Sequence, residues 1–159
     1  MKALAGKLAK ALKARGALLV TAESCTGGWA AQAMTAIAGS SDWFERGFVT
    51  YSNAAKRELL GVSEKTLETH GAVSEETARA MALGALERSR GTVSLAITGI
   101  AGPTGGSKAK PVGTVCFAWA ARGGSVQAQT RHFKGDREAV RRQSVEHALD
   151  GVLELLDKR

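Results

Sequence analysis

Short apolar runs alternate with helical segments through most of this chain, and that alternation leaves few folds open. Five runs predict strands: 17–21, 47–52, 92–98, 114–121 and 126–133. Strands that are separated by helices usually pair in parallel, so the first three are expected to be parallel neighbours. The last two are joined by Arg122-Gly123-Gly124-Ser125, a short link that favours an antiparallel hairpin. We therefore predict an α/β fold, a three-layer α/β/α sandwich with a mixed, partly parallel central sheet.

The helices are indicated by periodic apolar residues and by capping residues. Predicted helices cover 3–13, 24–37, 53–60, 63–70, a long segment from Ser74 to about Arg90, and 137–156. Ser63, Ser74 and Asp136 are residue types that accept hydrogen bonds from the first N–H groups of a helix. The length suits one compact unit without a convincing linker, so we predict a single domain over residues 1–159.

Composition and charge narrow the class of protein further. The net charge of +7 favours anionic partners such as nucleotides, phosphorylated metabolites or nucleic acid. The two cysteines form no metal-ligand pattern and are weak evidence for a disulfide framework. There is no apolar run long enough to cross a membrane and no signal-peptide pattern at the N-terminus. A cytoplasmic protein that needs no metal or other cofactor is the expectation.

The stretch Thr21-Ala22-Glu23-Ser24-Cys25-Thr26-Gly27-Gly28 is the first candidate for chemistry, because it joins a predicted strand to a predicted helix. A helix N-terminus offers unpaired N–H groups and favours negative charge. That charge can be a bound phosphate, or the oxyanion that forms when an amide or ester is attacked by Ser24. The alternative is structural, since Ser24 or Thr26 can simply cap the helix.

Two other segments follow predicted strands. The glycine-rich loop 98–106 suits close approach of backbone N–H groups to a phosphate, but it matches neither the P-loop nor the dinucleotide-binding pattern. Lys56 comes soon after the second strand and can act as a base if its environment keeps it neutral. Taken alone, Lys56 is as readily a solvated surface charge. The three histidines show no metal spacing, and Ser24 does not lie in a G-x-S-x-G elbow.

Several ordered segments together resemble one family, the nicotinamide-nucleotide amidohydrolase domain found at the C-terminus of competence/damage-inducible CinA proteins. The matching segments are 22–28, 47–56, 70–74, 98–103, 111–115 and 135–141. They span almost the whole chain. The resemblance implies hydrolysis of the carboxamide of nicotinamide mononucleotide to nicotinate mononucleotide and ammonia, in pyridine-nucleotide salvage. It also implies a homo-oligomer.

The resemblance implies a serine nucleophile and a lysine base, which map onto Ser24 and Lys56. Cys25 beside Ser24 is a rival nucleophile, because a helix N-terminus can activate a thiol. Backbone N–H groups around Cys25 and Thr26 are candidates for the oxyanion site, and Tyr51 for stacking on the pyridinium ring. The remaining candidate substrate-binding residues are Gly27, Thr98, Gly99, Ala101, Gly102, Arg137 and Arg141.

Two other functions stay open at this point. The basic charge, together with the family's competence and damage label, is compatible with a nucleotide- or nucleic-acid-binding module that has no catalytic activity. No groove-reading motif supports nucleic-acid binding, so nucleic acid and membranes are not expected partners. A related amidase that acts on another pyridine or nucleoside amide is the third possibility.

Overall fold

The computed structural model describes residues 1–158, and Arg159, the last residue of the predicted domain, lies outside the described residues. The elements follow one another as α1 (Lys2–Ala14), β1 (Leu19–Glu23), α2 (Trp29–Thr35), a 3₁₀ turn (Ser40–Asp42), β2 (Phe44–Val49), α3 (Asn53–Leu60), α4 (Glu64–His70), α5 (Glu75–Glu87), β3 (Val93–Gly99), β4 (Thr114–Ala121), β5 (Val126–His132) and α6 (Arg137–Asp157).

The five strands form one sheet in the order β2-β1-β3-β4-β5. β1 lies at the centre of the parallel part and pairs with β2 on one side and β3 on the other. β3–β4 and β4–β5 are antiparallel, and the last pair is the predicted hairpin. The mixed, partly parallel sheet of the sequence prediction is confirmed.

Helices cover both faces of the sheet, because successive residues of each strand point to opposite sides. On one face α1, α2 and α6 pack over strand residues such as Leu19, Leu95 and Phe117. On the other face α3, α4 and α5 pack over Val20, Ala96 and their neighbours. The two cores are separated only by the sheet, which gives the three predicted layers.

The first crossover differs from the prediction. β1 runs on to Glu23, which pairs with Val49 and Ile97, so the strand ends two residues later than predicted. α2 begins only at Trp29, because Gly27 and Gly28 have positive φ angles of 60° and 103° that interrupt a right-handed helix. The predicted helix start at Ser24 is therefore wrong, and residues 24–28 form a turn.

β2 also lies earlier than predicted, at Phe44–Val49 instead of 47–52. Ser52 instead caps α3 by accepting a hydrogen bond from the Ala55 N–H. The predicted caps Ser63, Ser74 and Asp136 each accept such a bond. Within residues 1–158, none of the helices has the length and apolar character needed to cross a membrane.

Candidate active site

The carboxyl ends of β1, β2 and β3 meet at one edge of the sheet, the usual place for ligand sites in open α/β folds. A cavity of about 290 Å³ opens at this edge. Its lining comes from the turn after β1, the link from β2 into α3, the link between α4 and α5, the loop after β3 and the first turn of α6. The lining residues are Ser24, Cys25, Tyr51, Asn53, Lys56, Ala72, Val73, Thr98, Gly99, Ile100, Ala101, Gly102, Thr104, Gly105 and Arg137.

Ser24 and Lys56 are in direct contact at the bottom of this cavity. The Lys56 Nζ lies 3.1 Å from the Ser24 Oγ, although the two residues are separated by 32 positions in the sequence. Ser24 is held by β3, because its backbone N–H donates to the Ile97 carbonyl. Lys56 is in the first half of α3, whose start is set by the Ser52 cap. The fold thus brings a hydroxyl and an amine within proton-transfer distance.

The Lys56 side chain is almost completely buried, with 1% of the residue exposed. Burial lowers the pKa of its amine below the ordinary value of 10.5, and the nearby Cys25 acts in the opposite direction. The Nζ also donates to the Thr50 carbonyl at 3.1 Å and to the Tyr51 carbonyl at 3.3 Å. A neutral amine can keep these two hydrogen bonds and turn its lone pair towards Ser24.

The turn over residues 24–28, which we call the nucleophile turn, is fixed by Glu23. The Glu23 carboxylate accepts hydrogen bonds from the Thr26 hydroxyl at 2.7 Å and from the Ala30 N–H at 2.8 Å. A third bond comes from the Ala31 N–H at 3.1 Å. Glu23 therefore caps α2, and the alternative that Ser24 or Thr26 caps this helix is wrong.

The Glu23 contacts also change where an anion can bind. The first N–H groups of α2 already point at a carboxylate of the protein itself, so they are not available to a substrate. Within residues 1–158, the N–H groups of Cys25 and Thr26 have no hydrogen-bond acceptor. Cys25 lines the cavity and Thr26 follows it directly behind the lining, so these two amides are the candidate donors to an oxyanion.

The surroundings of Cys25 disfavour the thiolate form of its side chain. Burial, reinforced by the negative charge of Glu23, raises the pKa of its thiol to about 12. Glu23 occupies the N-terminus of α2, so that terminus does not lower the pKa of the rival nucleophile Cys25.

The opening of the cavity carries one aromatic ring and one guanidinium group. Tyr51 is exposed, and its hydroxyl accepts a hydrogen bond from Arg137 at 3.3 Å. Arg137 also donates to the Gly102 carbonyl at 2.8 Å, which ties the loop after β3 to the start of α6. A cation and a ring at the mouth suit a ligand with an aromatic part and an anionic part.

The structure brings most of the candidate site residues together and leaves three outside. Ser24, Lys56, Cys25, Tyr51, Thr98, Gly99, Ala101, Gly102 and Arg137 line the cavity, whereas Thr26, Gly27 and Arg141 do not. The Thr26 hydroxyl is bound to Glu23, and the Arg141 guanidinium binds the carbonyls of Cys25 and Thr26. Thr98 lines the wall, but its hydroxyl donates to the Ala72 carbonyl at 2.8 Å.

Other residues of the site were missed from the sequence. Asn53, Ile100, Thr104 and Gly105 line the cavity, and Glu23 organises the turn from behind. No local capping rule points to Glu23, because it precedes the first residue of α2 by six positions and glutamate is not a preferred N-cap residue. Within the described chain, no three His, Cys, Asp or Glu side chains are grouped so as to hold a metal ion.

Comparison with known proteins gives consistent matches. The sequence model of the CinA C-terminal domain family matches residues 1–156. The chain is 58% identical over 146 residues to "Nicotinamide-nucleotide amidohydrolase PncC" of Escherichia coli (strain K12), covering 92% of this chain and 88% of that protein. It is 53% identical over 152 residues to the protein of the same name from Pseudomonas putida, covering 96% and 94% of the two chains.

A solved structure shares the fold closely. The competence/damage inducible protein CihA from Agrobacterium tumefaciens superposes with a TM-score of 0.94 at 49% sequence identity. The match covers 97% of this chain and 94% of that one. The five-stranded mixed sheet and its flanking helices are therefore the architecture of this superfamily.

Proposed function

Because the chain belongs to the CinA C-terminal domain family, we propose that it is an amidase that hydrolyses nicotinamide mononucleotide to nicotinate mononucleotide and ammonia. Relatives that are more than half identical over nearly the whole chain carry the name nicotinamide-nucleotide amidohydrolase. The observation that carries the proposal is the 3.1 Å contact between the Lys56 amine and the Ser24 hydroxyl inside a cavity. We assign the reaction to pyridine-nucleotide salvage.

The first half of the reaction is acylation of Ser24. The neutral Lys56 amine accepts the proton of the Ser24 hydroxyl while the oxygen forms a bond to the carboxamide carbon. The C=O pair of electrons moves to the carbonyl oxygen, giving a tetrahedral intermediate. When this intermediate collapses, the C–N bond breaks, the ammonium form of Lys56 gives its proton to the leaving nitrogen, and ammonia departs.

The oxyanion of the intermediate needs hydrogen-bond donors that are in position before the reaction. The N–H groups of Cys25 and Thr26 fill this role, because neither has an acceptor within residues 1–158. In the second half, Lys56 takes a proton from a water molecule that attacks the ester. The Ser24 oxygen leaves with that proton, nicotinate mononucleotide is released and the enzyme is restored.

Substrate binding uses the opening of the cavity. Tyr51 lies where its ring can stack on the cationic pyridinium, since it is exposed and borders the cavity. The Arg137 guanidinium is the charged donor for the 5′-phosphate, helped by backbone groups of the loop from Gly99 to Gly102. We also propose a cytoplasmic location and a homo-oligomer.

The test is product formation by the purified protein. Incubation with nicotinamide mononucleotide is expected to yield ammonia and nicotinate mononucleotide in equal amounts, and a chelator is expected to leave the rate unchanged. Free nicotinamide is expected to react much more slowly, because it lacks the ribose phosphate that Arg137 and the loop bind. Absence of ammonia release with every pyridine amide tried would contradict the proposal.

A further inference from the structure

The Arg141 guanidinium lies behind the nucleophile turn instead of in the cavity. Its Nε donates to the Cys25 carbonyl at 3.0 Å, and one terminal nitrogen donates to the Thr26 carbonyl at 3.3 Å. The same guanidinium lies over the Trp29 ring, 5.6 Å from its centroid. Arg141 is thus bound on three sides by groups of the protein.

Arg137, which is also in α6, provides a comparison with Arg141. The two residues are one turn apart in α6, so they lie on the same side of the helix. Arg137 borders the cavity, whereas Arg141 does not. One of the two arginines is therefore available to a substrate phosphate, and the other is engaged with the backbone of the catalytic turn.

The contact of Arg141 with the Cys25 carbonyl fixes the direction of the next N–H group, that of Thr26. In a trans peptide the carbonyl of one residue and the N–H of the next point in opposite directions within one rigid plane. By holding the Cys25 carbonyl, Arg141 therefore holds the Thr26 N–H pointing away from itself. Glu23 fixes the same turn through the Thr26 hydroxyl and the start of α2. The Glu23 carboxylate thus holds the turn through a hydroxyl and an N–H group, and the Arg141 guanidinium holds it through two carbonyl groups.

We infer that Arg141 is a positioning residue: it fixes the Cys25–Thr26 peptide plane, and with it the direction of the Thr26 N–H that we propose for the oxyanion, and it does not bind the substrate phosphate. The inference rests on the proposed amidase function. It separates the two arginines by role, with Arg141 acting on the chemical step and Arg137 acting on recognition of the phosphate.

Steady-state kinetics with two substrates distinguish the roles. Nicotinamide mononucleotide and nicotinamide riboside differ only in the phosphate, so the ratio of their kcat/KM values reports the phosphate contact. Arg141→Met is expected to lower kcat about ten- to hundredfold on both substrates, with KM and the ratio nearly unchanged, since removing one oxyanion donor outright costs about 10²–10³. Arg137→Met is expected to raise KM for the nucleotide and reduce the ratio.

Arg141→Lys supplies the conservative variant. A lysine keeps the charge but presents no planar fork, so it can hold one carbonyl and is expected to restore kcat only in part. Thermal unfolding of each variant checks that the fold is intact. A loss of the nucleotide preference in Arg141→Met would overturn the inference, because Arg141 would then bind the phosphate. Unchanged kcat in a folded Arg141→Met would overturn it as well.

Labelling by a fluorophosphonate tests the inference independently of the substrate. The Ser24 oxygen attacks phosphorus, fluoride leaves, and the phosphoryl oxygen takes the place of the oxyanion. Arg141→Met is expected to be labelled at least tenfold more slowly than the wild-type protein, and the control Arg142→Met, at an exposed position outside the cavity lining, at the wild-type rate. Equal labelling rates for Arg141→Met and wild type would contradict the inference. If wild type is labelled but releases no ammonia, only the proposed substrate fails.

Discussion

At the scale of single residues, burial of the Lys56 amine disfavours its charged form. The neutral form is the form that a base needs. The carbonyls of Thr50 and Tyr51 give the amine two acceptors in compensation. A buried lysine of this kind lowers the stability of the fold while it favours the neutral amine that a base requires.

The pH dependence of stability follows from the lowered pKa of Lys56. In the unfolded chain this amine titrates near 10.5, and in the folded protein it titrates lower. Between the two values the unfolded chain binds more protons, so the free energy of unfolding rises with pH. We predict that the stability of wild type relative to Lys56→Met increases from neutral pH towards pH 10, measured by urea unfolding.

Activity is expected to change in the same direction. The fraction of Lys56 in the neutral form grows with pH, so kcat/KM is predicted to rise to a plateau whose midpoint is below 10.5. A stability difference that does not change with pH would show that the amine titrates alike in both states. An activity that falls over this range would argue against a neutral amine as the base.

The residues of the site were only partly predictable from the sequence. The roles of Ser24 and Lys56 came from the family resemblance, since a single lysine in a polar helix carries no local sign of burial. The contact of Arg141 with Cys25 joins residues 116 positions apart, so no local pattern reveals it. The sequence analysis placed Arg141 among the candidate substrate-binding residues, because an arginine that is free to bind a ligand and one that is bonded to the protein cannot be distinguished from the sequence.

At the scale of elements, the sequence predicted a helix start correctly where that start depends on a hydrogen bond between residues close together in the chain. The serine and aspartate caps at positions 63, 74 and 136 bind N–H groups within the next three residues, and the helices begin where they predict. The limits of β1 and β2 were displaced, because strand ends depend on the neighbouring strand. Glu23 belongs to β1 only through its pairing with Val49 and Ile97.

The position of α3 depends on how closely it approaches α5. A Cβ atom placed on Gly84 of α5 would overlap the carbonyl of Leu60 at the end of α3. We predict that Gly84→Ala lowers the free energy of unfolding by about 1–3 kcal/mol, the usual cost of overpacking a core. Since α3 also carries Lys56, kcat is expected to fall, measured alongside urea unfolding.

Gly6 in α1 is the matched control. A Cβ atom placed there meets nothing within 4 Å. Gly6→Ala is therefore expected to stabilise the protein by about 0.5–1 kcal/mol through helix propensity and to leave kcat unchanged. If Gly84→Ala behaved like Gly6→Ala, the close contact between α3 and α5 would not control the position of Lys56.

At the scale of the whole molecule, the sheet order explains the site. β1 is flanked by two parallel partners, so the segments that follow three strands converge at one edge. The order of strands and helices along the chain predicted this architecture and its mixed sheet. The homo-oligomer stays a prediction, because it rests on the family resemblance.

The central claim is that Ser24 and Lys56 act together as nucleophile and base, and ammonia release from nicotinamide mononucleotide by four variants tests it most directly. Ser24→Ala and Lys56→Met are compared with Ser125→Ala and Lys65→Met, which change the same residue types at exposed positions outside the cavity lining. We predict that Lys56→Met loses about 10²–10⁴-fold in kcat, as expected for loss of a base, and that Ser24→Ala loses at least as much, while the controls match wild type. A folded Ser24→Ala or Lys56→Met protein that turns over at a rate close to wild type would contradict the claim.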